Sequence, residues 1–282
     1  MFSEKKINNV KVHPLVNTAT LDEKKVKGSK LIPDPYSTIF LSAKRKSGKT
    51  SVIGEILKNC SDRRSIIWVF CPTANIDDNW KSIITMLQDK GNVVNVFDSL
   101  MEDKKINRLQ GIINELLVPE MDEDIEEKKK KVEKPPVRLL FDSQTVEEEI
   151  KEEKAKKYKP KKIAPKHIFI LDDLSHELKN PAVQVLLKNW RHLKAQCILS
   201  FQYANDLLTS CWKQCQYCMI FKSFSRDKLD HLHRVLDLTL PVEQFYELYD
   251  FVMKDKGYDF LYIDVKNEKF RKNFNKEIEL NI

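Results

Sequence analysis

The order of apolar and amphipathic segments predicts an α/β chain: a mainly parallel sheet with helices on both faces. Two observations carry that expectation. The apolar runs at residues 65–70 and 167–171 have almost no polar face, as strands covered on both sides require. Between such runs lie stretches with helical spacing, such as Ile106, Leu109, Ile112, Ile113, Leu116 and Leu117. With 282 residues, 41% of them hydrophobic, the chain can fill one large core. We expect a polar N-terminal arm over 1–30 and one domain over 31–282, carrying a charged insertion at about 120–166.

Residues 36–41 give the first strand and 50–59 a helix behind the loop that follows it. Residues 65–70 form a strand ending at Cys71-Pro72-Thr73, residues 80–88 a helix, 93–97 a short strand, and 105–117 the amphipathic helix. Near residue 120 the character changes. Runs such as Glu126-Glu127-Lys128-Lys129-Lys130-Lys131, broken by Pro135-Pro136, Pro160 and Pro165, hold too few apolar residues for a core. This insertion reads as a solvated excursion, helical or partly disordered, with a contact arm for a neighbour or for DNA as the functional alternative. Order resumes with the strand 167–173, a helix over 181–194 and a strand over 195–202. A further strand at 217–221, helices at 226–236 and 242–253, and a closing strand at 260–264 complete the chain.

The net charge of +7 is compatible with a polyanionic partner. Residues 1–30 lack the apolar core of a secretion signal, and no apolar run approaches a membrane span. The six cysteines are therefore expected as reduced thiols. Cys211, Cys215 and Cys218, with His231 and His233 downstream, suggest zinc, but their spacing fits no standard finger. Residues 217–221 read as a buried strand, which favours core cysteines.

One segment concentrates the chemistry. Ser42-Ala43-Lys44-Arg45-Lys46-Ser47-Gly48-Lys49-Thr50, followed by Ser51, lies between the first strand and its helix. A strand, a tight loop ending in Gly-Lys-Thr and a helix form a cradle for a nucleoside triphosphate, in which backbone N–H groups and the helix N-terminus hold the phosphates. Residues 43–51 (Ala43, Lys44, Arg45, Lys46, Ser47, Gly48, Lys49, Thr50 and Ser51) are the expected ATP contacts. Lys49 reaches the β/γ-phosphates and Thr50 offers its hydroxyl to Mg²⁺. Ala43 stands where GxxxxGK(S/T) has its first glycine, which is tolerable if its φ is negative. The bland alternative is a Lys-rich surface loop.

The strand at 167–173 ends in two carboxylates. Asp172 is expected to hold Mg²⁺ and Asp173 to orient or polarise the attacking water. Their alternative is to cap the turn at Leu174-Ser175. Gln202, closing the next strand, brings an amide able to bond both a γ-phosphate oxygen and that water. Arg191 lies ahead of the same strand and points away from its own triphosphate, so it is a candidate finger for a neighbour's site; a surface ion pair is the ordinary reading.

In order and spacing, residues 40–50, Phe70-Cys71-Pro72-Thr73, Ile170-Leu171-Asp172-Asp173, Arg191-His192 and Ile198-Leu199-Ser200-Phe201-Gln202 resemble viral genome-packaging ATPases of the FtsK–HerA superfamily, encoded by large DNA viruses and virophages. Residues 260–264 with 270–274 look like that family's closing strand and tail. The resemblance spans residue 31 to the C-terminus apart from the insertion. It implies a P-loop NTPase of RecA-like (ASCE) fold, with one strand between the phosphate-loop strand and the Walker B strand. It further implies a homo-oligomeric ring that hydrolyses ATP with Mg²⁺ and pumps double-stranded DNA into a capsid, beside capsid or portal-vertex proteins. The setting it implies is a cytoplasmic assembly site in the host cell, or the virion itself. By position, Asp172 becomes the metal acid, Asp173 the water-activating acid in place of the commoner Glu, Gln202 the sensor and Arg191 the finger in trans. Residues 213–226 are the candidate pore loop. A helicase or replication ATPase of similar architecture, and a nucleotide-binding scaffold without turnover, are the competing readings.

Overall fold

The computed structural model describes residues 25–103, 105–118, 162–222, 224–255 and 257–279. The insertion, apart from its last residues, and most of the N-terminal arm lie outside them. The described strands are β1 (Ser37–Ser42), β2 (Ile66–Phe70), β3 (Val93–Phe97), β4 (His167–Asp172), β5 (Ala195–Phe201), β6 (Tyr217–Phe221), β7 (Phe260–Asp264), β8 (Lys269–Lys272) and β9 (Lys276–Ile278). They form one sheet in the order β3-β2-β4-β5-β1-β6-β7-β8-β9. The first six in that order are parallel and the last three antiparallel.

Every residue of β1, β4, β5 and β6 is buried, which explains their largely apolar character, with polar residues mainly toward the strand ends. Alternate side chains feed two cores. Ile39 and Leu41 of β1 pack with Ile53, Ile56 and Leu57 of α1 (Lys49–Cys60) and Trp80 and Leu87 of α2 (Asp78–Asp89). Phe40 faces the other way, into a core shared by α3 (Arg108–Leu117), α4 (Pro181–Asn189), α5 (Thr209–Trp212), α6 (Arg226–Leu236) and α7 (Val242–Met253). Helices thus cover both faces. Gly54 sets the spacing of α1 and α2: a methyl there would lie 3.0 Å from Ile83 Cδ1.

Register decides where the chemistry emerges. Asp172 is level with Ser200, and Ser42 with Phe201, so Ala43, Asp173 and Gln202 leave the sheet along one edge. In parallel sheets this carboxyl edge is where ligands bind. β5 is the strand between β1 and β4 that the resemblance implies.

Some details differ from the sequence expectation. The helix expected over 181–194 stops at Asn189, because a turn with Lys194 at φ 47° redirects the chain into β5. The helices expected at 80–88 and 105–117 begin at Asp78 and Arg108, where Asp77 and Asn107 cap them by accepting from the Asn79 and Gln110 N–H groups. The closing strand and tail form a three-stranded antiparallel meander. The strand expected at 217–221 is β6, buried throughout, so it divides the candidate pore segment 213–226 into two short stretches on either side. Residues 25–30, grouped with the polar arm, dock on the domain: Val26 is buried, and Lys27 N–H donates to the Ile163 carbonyl at 2.8 Å. All six cysteines are buried free thiols. Burial pushes Cys60 up to about 12 and raises Cys211 and Cys215. Among the described residues no three His, Cys, Asp or Glu side chains gather as a metal site.

Candidate nucleoside triphosphate site

The loop from Ala43 to Gly48 links β1 to α1 and opens onto a cleft of about 1110 Å³. Ala43 lies beneath it, fully buried, with its N–H donating to the Phe201 carbonyl at 3.0 Å. It is absent from the residues with positive φ, so glycine is not required there. Positive φ falls instead at Lys46 (60°) and Gly48 (88°). Such reversals turn successive backbone N–H groups inward and make an anion nest. Arg45, Lys46, Ser47, Gly48, Lys49 and Thr50 border the cleft, as does Ser51, whereas exposed Lys44 stands apart from it.

Two acids close the far wall. Lys49 Nζ is 3.0 Å from Asp172 Oδ1 and 4.0 Å from Asp173 Oδ1. Asp172 is almost wholly buried, and its two oxygens have different surroundings. Oδ2 accepts from the Trp80 indole N–H at 3.1 Å and from the Cys71 thiol at 3.9 Å. Burial, reinforced by the Asp172 charge, pushes the Cys71 thiol up to about 11, so it stays protonated as a donor. Among the described residues Oδ1 faces Lys49 as an ion pair but accepts no aligned hydrogen bond, and the buried Ser47 Oγ has no hydrogen-bond partner. A buried carboxylate oxygen whose one facing group is a lysine able to move onto phosphate suits a hard cation such as Mg²⁺, with Thr50 bordering the same cleft, and the unbonded Ser47 hydroxyl suits a phosphate oxygen. The residues present fit both groups.

Asp173 follows with φ 56°, a left-handed conformation that Asp tolerates better than most residues. That turn swings its carboxylate back over the cleft, where Oδ1 accepts from Gln202 Nε2 at 3.3 Å. Gln202 therefore supports Asp173 from behind and does not border the cleft itself. Arg191 lies at the other end of β5; its guanidinium packs over the Trp190 ring, 4.8 Å from the centroid. Seven strand residues, about 23 Å, separate it from the loop of its own chain.

Among the cleft residues that escaped the sequence reading, two stand out. Trp80 looked like the first residue of an amphipathic helix; only the sheet order brings its N–H to Asp172. Tyr258, in the connection between α7 and β7, carried no signal and borders the cleft beside Gly48.

The sheet order, the nest-forming loop and the paired acids define a P-loop NTPase fold, RecA-like, with one strand between the loop strand and the acid strand. No protein-family model matches the chain, and no curated protein matches it. Solved structures do. The genome packaging NTPase B204 from Sulfolobus turreted icosahedral virus 2, in complex with AMPPCP, is similar with a TM-score of 0.49 at 16% identity, over 85% of this chain and 98% of that one. The same protein in complex with AMP gives 0.47 at 19% identity over the same shares. The cytoplasmic domain of the Thermomonospora curvata type VII secretion ATPase EccC gives 0.45 at 11% identity, over 81% of this chain and 24% of that one.

Proposed function

We propose that this chain hydrolyses ATP and uses the energy to move double-stranded DNA into a capsid during virus assembly. One observation carries the enzymatic part: Lys49 and the consecutive Asp172 and Asp173, from two distant segments, lie within 4.0 Å of each other beside a loop of phosphate-binding geometry, with Gln202 bonded to Asp173. A scaffold that only holds nucleotide has no use for the second acid or for the amide positioning it. The DNA part rests on the order of sequence motifs shared with viral packaging ATPases.

In this reading the loop N–H groups, Lys49 and Ser47 bind the phosphates, with Lys49 moving from Asp172 onto the β/γ-phosphates. Thr50 and Asp172 would hold Mg²⁺, which when bound neutralises charge on those oxygens. Asp173 orients the water and accepts its proton. Water oxygen bonds to the terminal phosphorus as the bond from that phosphorus to the bridging oxygen breaks, leaving ADP and inorganic phosphate. Gln202 keeps the Asp173 carboxylate aimed.

The cargo is tested by ATPase rate with long double-stranded DNA, against single-stranded DNA of equal mass. The packaging reading expects at least about a fivefold stimulation by duplex without strand separation, falling steeply with salt because a translocase grips phosphates and not bases. Strand separation would select the helicase, and no hydrolysis under any condition the scaffold.

Arg191 completes the proposal as a finger for the next subunit of a ring, since its own site is a strand's length away. Mixing Arg191→Ala with Lys49→Ala subunits should recover part of the activity that each lacks alone, because some interfaces then pair an intact loop with an intact arginine. An arginine finger contributes about 10³–10⁵ in rate, so even a few per cent recovery is readable. Assembled mixed rings with no recovery would return Arg191 to the role of a surface cation stacked on Trp190.

A further inference from the structure

We propose that Tyr258 is the platform on which the base of the bound nucleotide stacks; this rests on the triphosphate reading above. Two of the exposed large apolar side chains border the cleft, Ile76 at 73% and Tyr258 at 78% exposure. Sheet order places them at opposite ends. Ile76 follows β2, which lies beyond β4 and its acids as seen from the loop strand β1. Tyr258 precedes β7, two strands away on the other side of β1. Because β7 runs antiparallel to β6, its start lies on the same edge as the loop.

This arrangement gives the cleft a direction. The terminal phosphate belongs beside Asp172 and Asp173, so the nucleoside extends from the loop toward the end without acids. The group waiting there is aromatic. Tyr258 lies against the loop backbone: a methyl built on Gly48 would be 3.5 Å from both Tyr258 Cβ and Cδ1. Those are ordinary contact distances, so the Tyr258 ring lies directly beside the loop, while the glycine itself is required by its left-handed φ of 88°. At 78% exposure the Tyr258 side chain belongs to neither core and has none to fill. An exposed aromatic beside a phosphate loop is suited to stacking, which every base accepts through its π-face.

The test is calorimetric titration of the full chain, in Mg²⁺, with a non-hydrolysable ATP analogue and separately with inorganic tripolyphosphate. Tyr258→Ala should weaken the analogue roughly 5- to 100-fold, the range expected for one stacked base, and leave tripolyphosphate within twofold. Tyr258→Phe should restore the lost affinity, because the ring and not the hydroxyl makes the contact. Equal losses for both ligands would overturn the proposal and make Tyr258 a prop for the loop. Unchanged binding in Tyr258→Ala, or a selective loss of the analogue in Ile76→Ala instead, would overturn it too. A parent protein that binds neither ligand removes the triphosphate site itself, a failure distinguishable from the others.

Discussion

Lys49→Ala is expected to abolish ATP hydrolysis, by at least about 10³-fold, and to weaken ATP binding. Unlike Arg45 and Lys46, which also border the cleft, the Lys49 ammonium already lies against the acids where the terminal phosphates belong, and a preorganised donor of this kind is worth about 10²–10³ before its charge is counted. The structure adds a second effect. Lys49 is the counter-ion of Asp172, whose side chain is only 3% exposed. Removing one partner of a buried pair costs about 3–5 kcal/mol. Trp80 and Cys71 still donate to Oδ2, so we place the loss at the lower end, visible as a fall in melting temperature. Lys49→Arg separates the two effects: it keeps the charge beside Asp172, but its planar fork does not fit a loop built for a compact ammonium. It should melt near the parent and still lose most activity. Hydrolysis within tenfold of the parent in folded Lys49→Ala would eliminate the loop as the phosphate cradle.

Asp173→Asn is expected to bind ATP as well as the parent or better, and to turn it over about 10²–10⁴-fold more slowly, the range for loss of a general base. The substitution isolates the chemistry. Asn accepts the 56° φ as readily as Asp, and its amide oxygen can still accept from Gln202, so neither the turn nor its support is lost. What disappears is a basic oxygen over the cleft and one negative charge near the triphosphate. Single-turnover hydrolysis alongside a binding titration reads the two effects separately. Unaltered turnover would clear Asp173 of any catalytic part.

Strong local signals were legible in the sequence. β6, α6 and α7 were placed to the residue, because each has an unmixed apolar or amphipathic pattern bounded by polar residues. The Gly-Lys-Thr loop and the paired acids were legible because their spacing is a chemical requirement. Trp80 was not, because a buried indole at helical spacing reads as core until the strand order shows its N–H meeting a carboxylate. Gln202, expected as the last residue of a strand over 195–202, falls just past β5, and its partner is Asp173, a contact that depends on the positive φ of Asp173. The edge meander escaped because β8 and β9, as Lys269–Lys272 and Lys276–Ile278, are too charged and short to show period-two alternation.

The place of β1 bears on how the chain acquires its shape during synthesis. It is the earliest described strand to leave the ribosome, yet it sits between β5 and β6, and its Ser37 hydroxyl meets the Gln196 amide across 159 positions of sequence. At roughly 5–20 residues per second, that separation keeps the nascent hairpinless strand waiting on the order of 10–30 s for its neighbours. Throughout that interval its apolar faces have no sheet to join, so delivery of the first segment in soluble form falls to chaperones or to transient collapse onto α1.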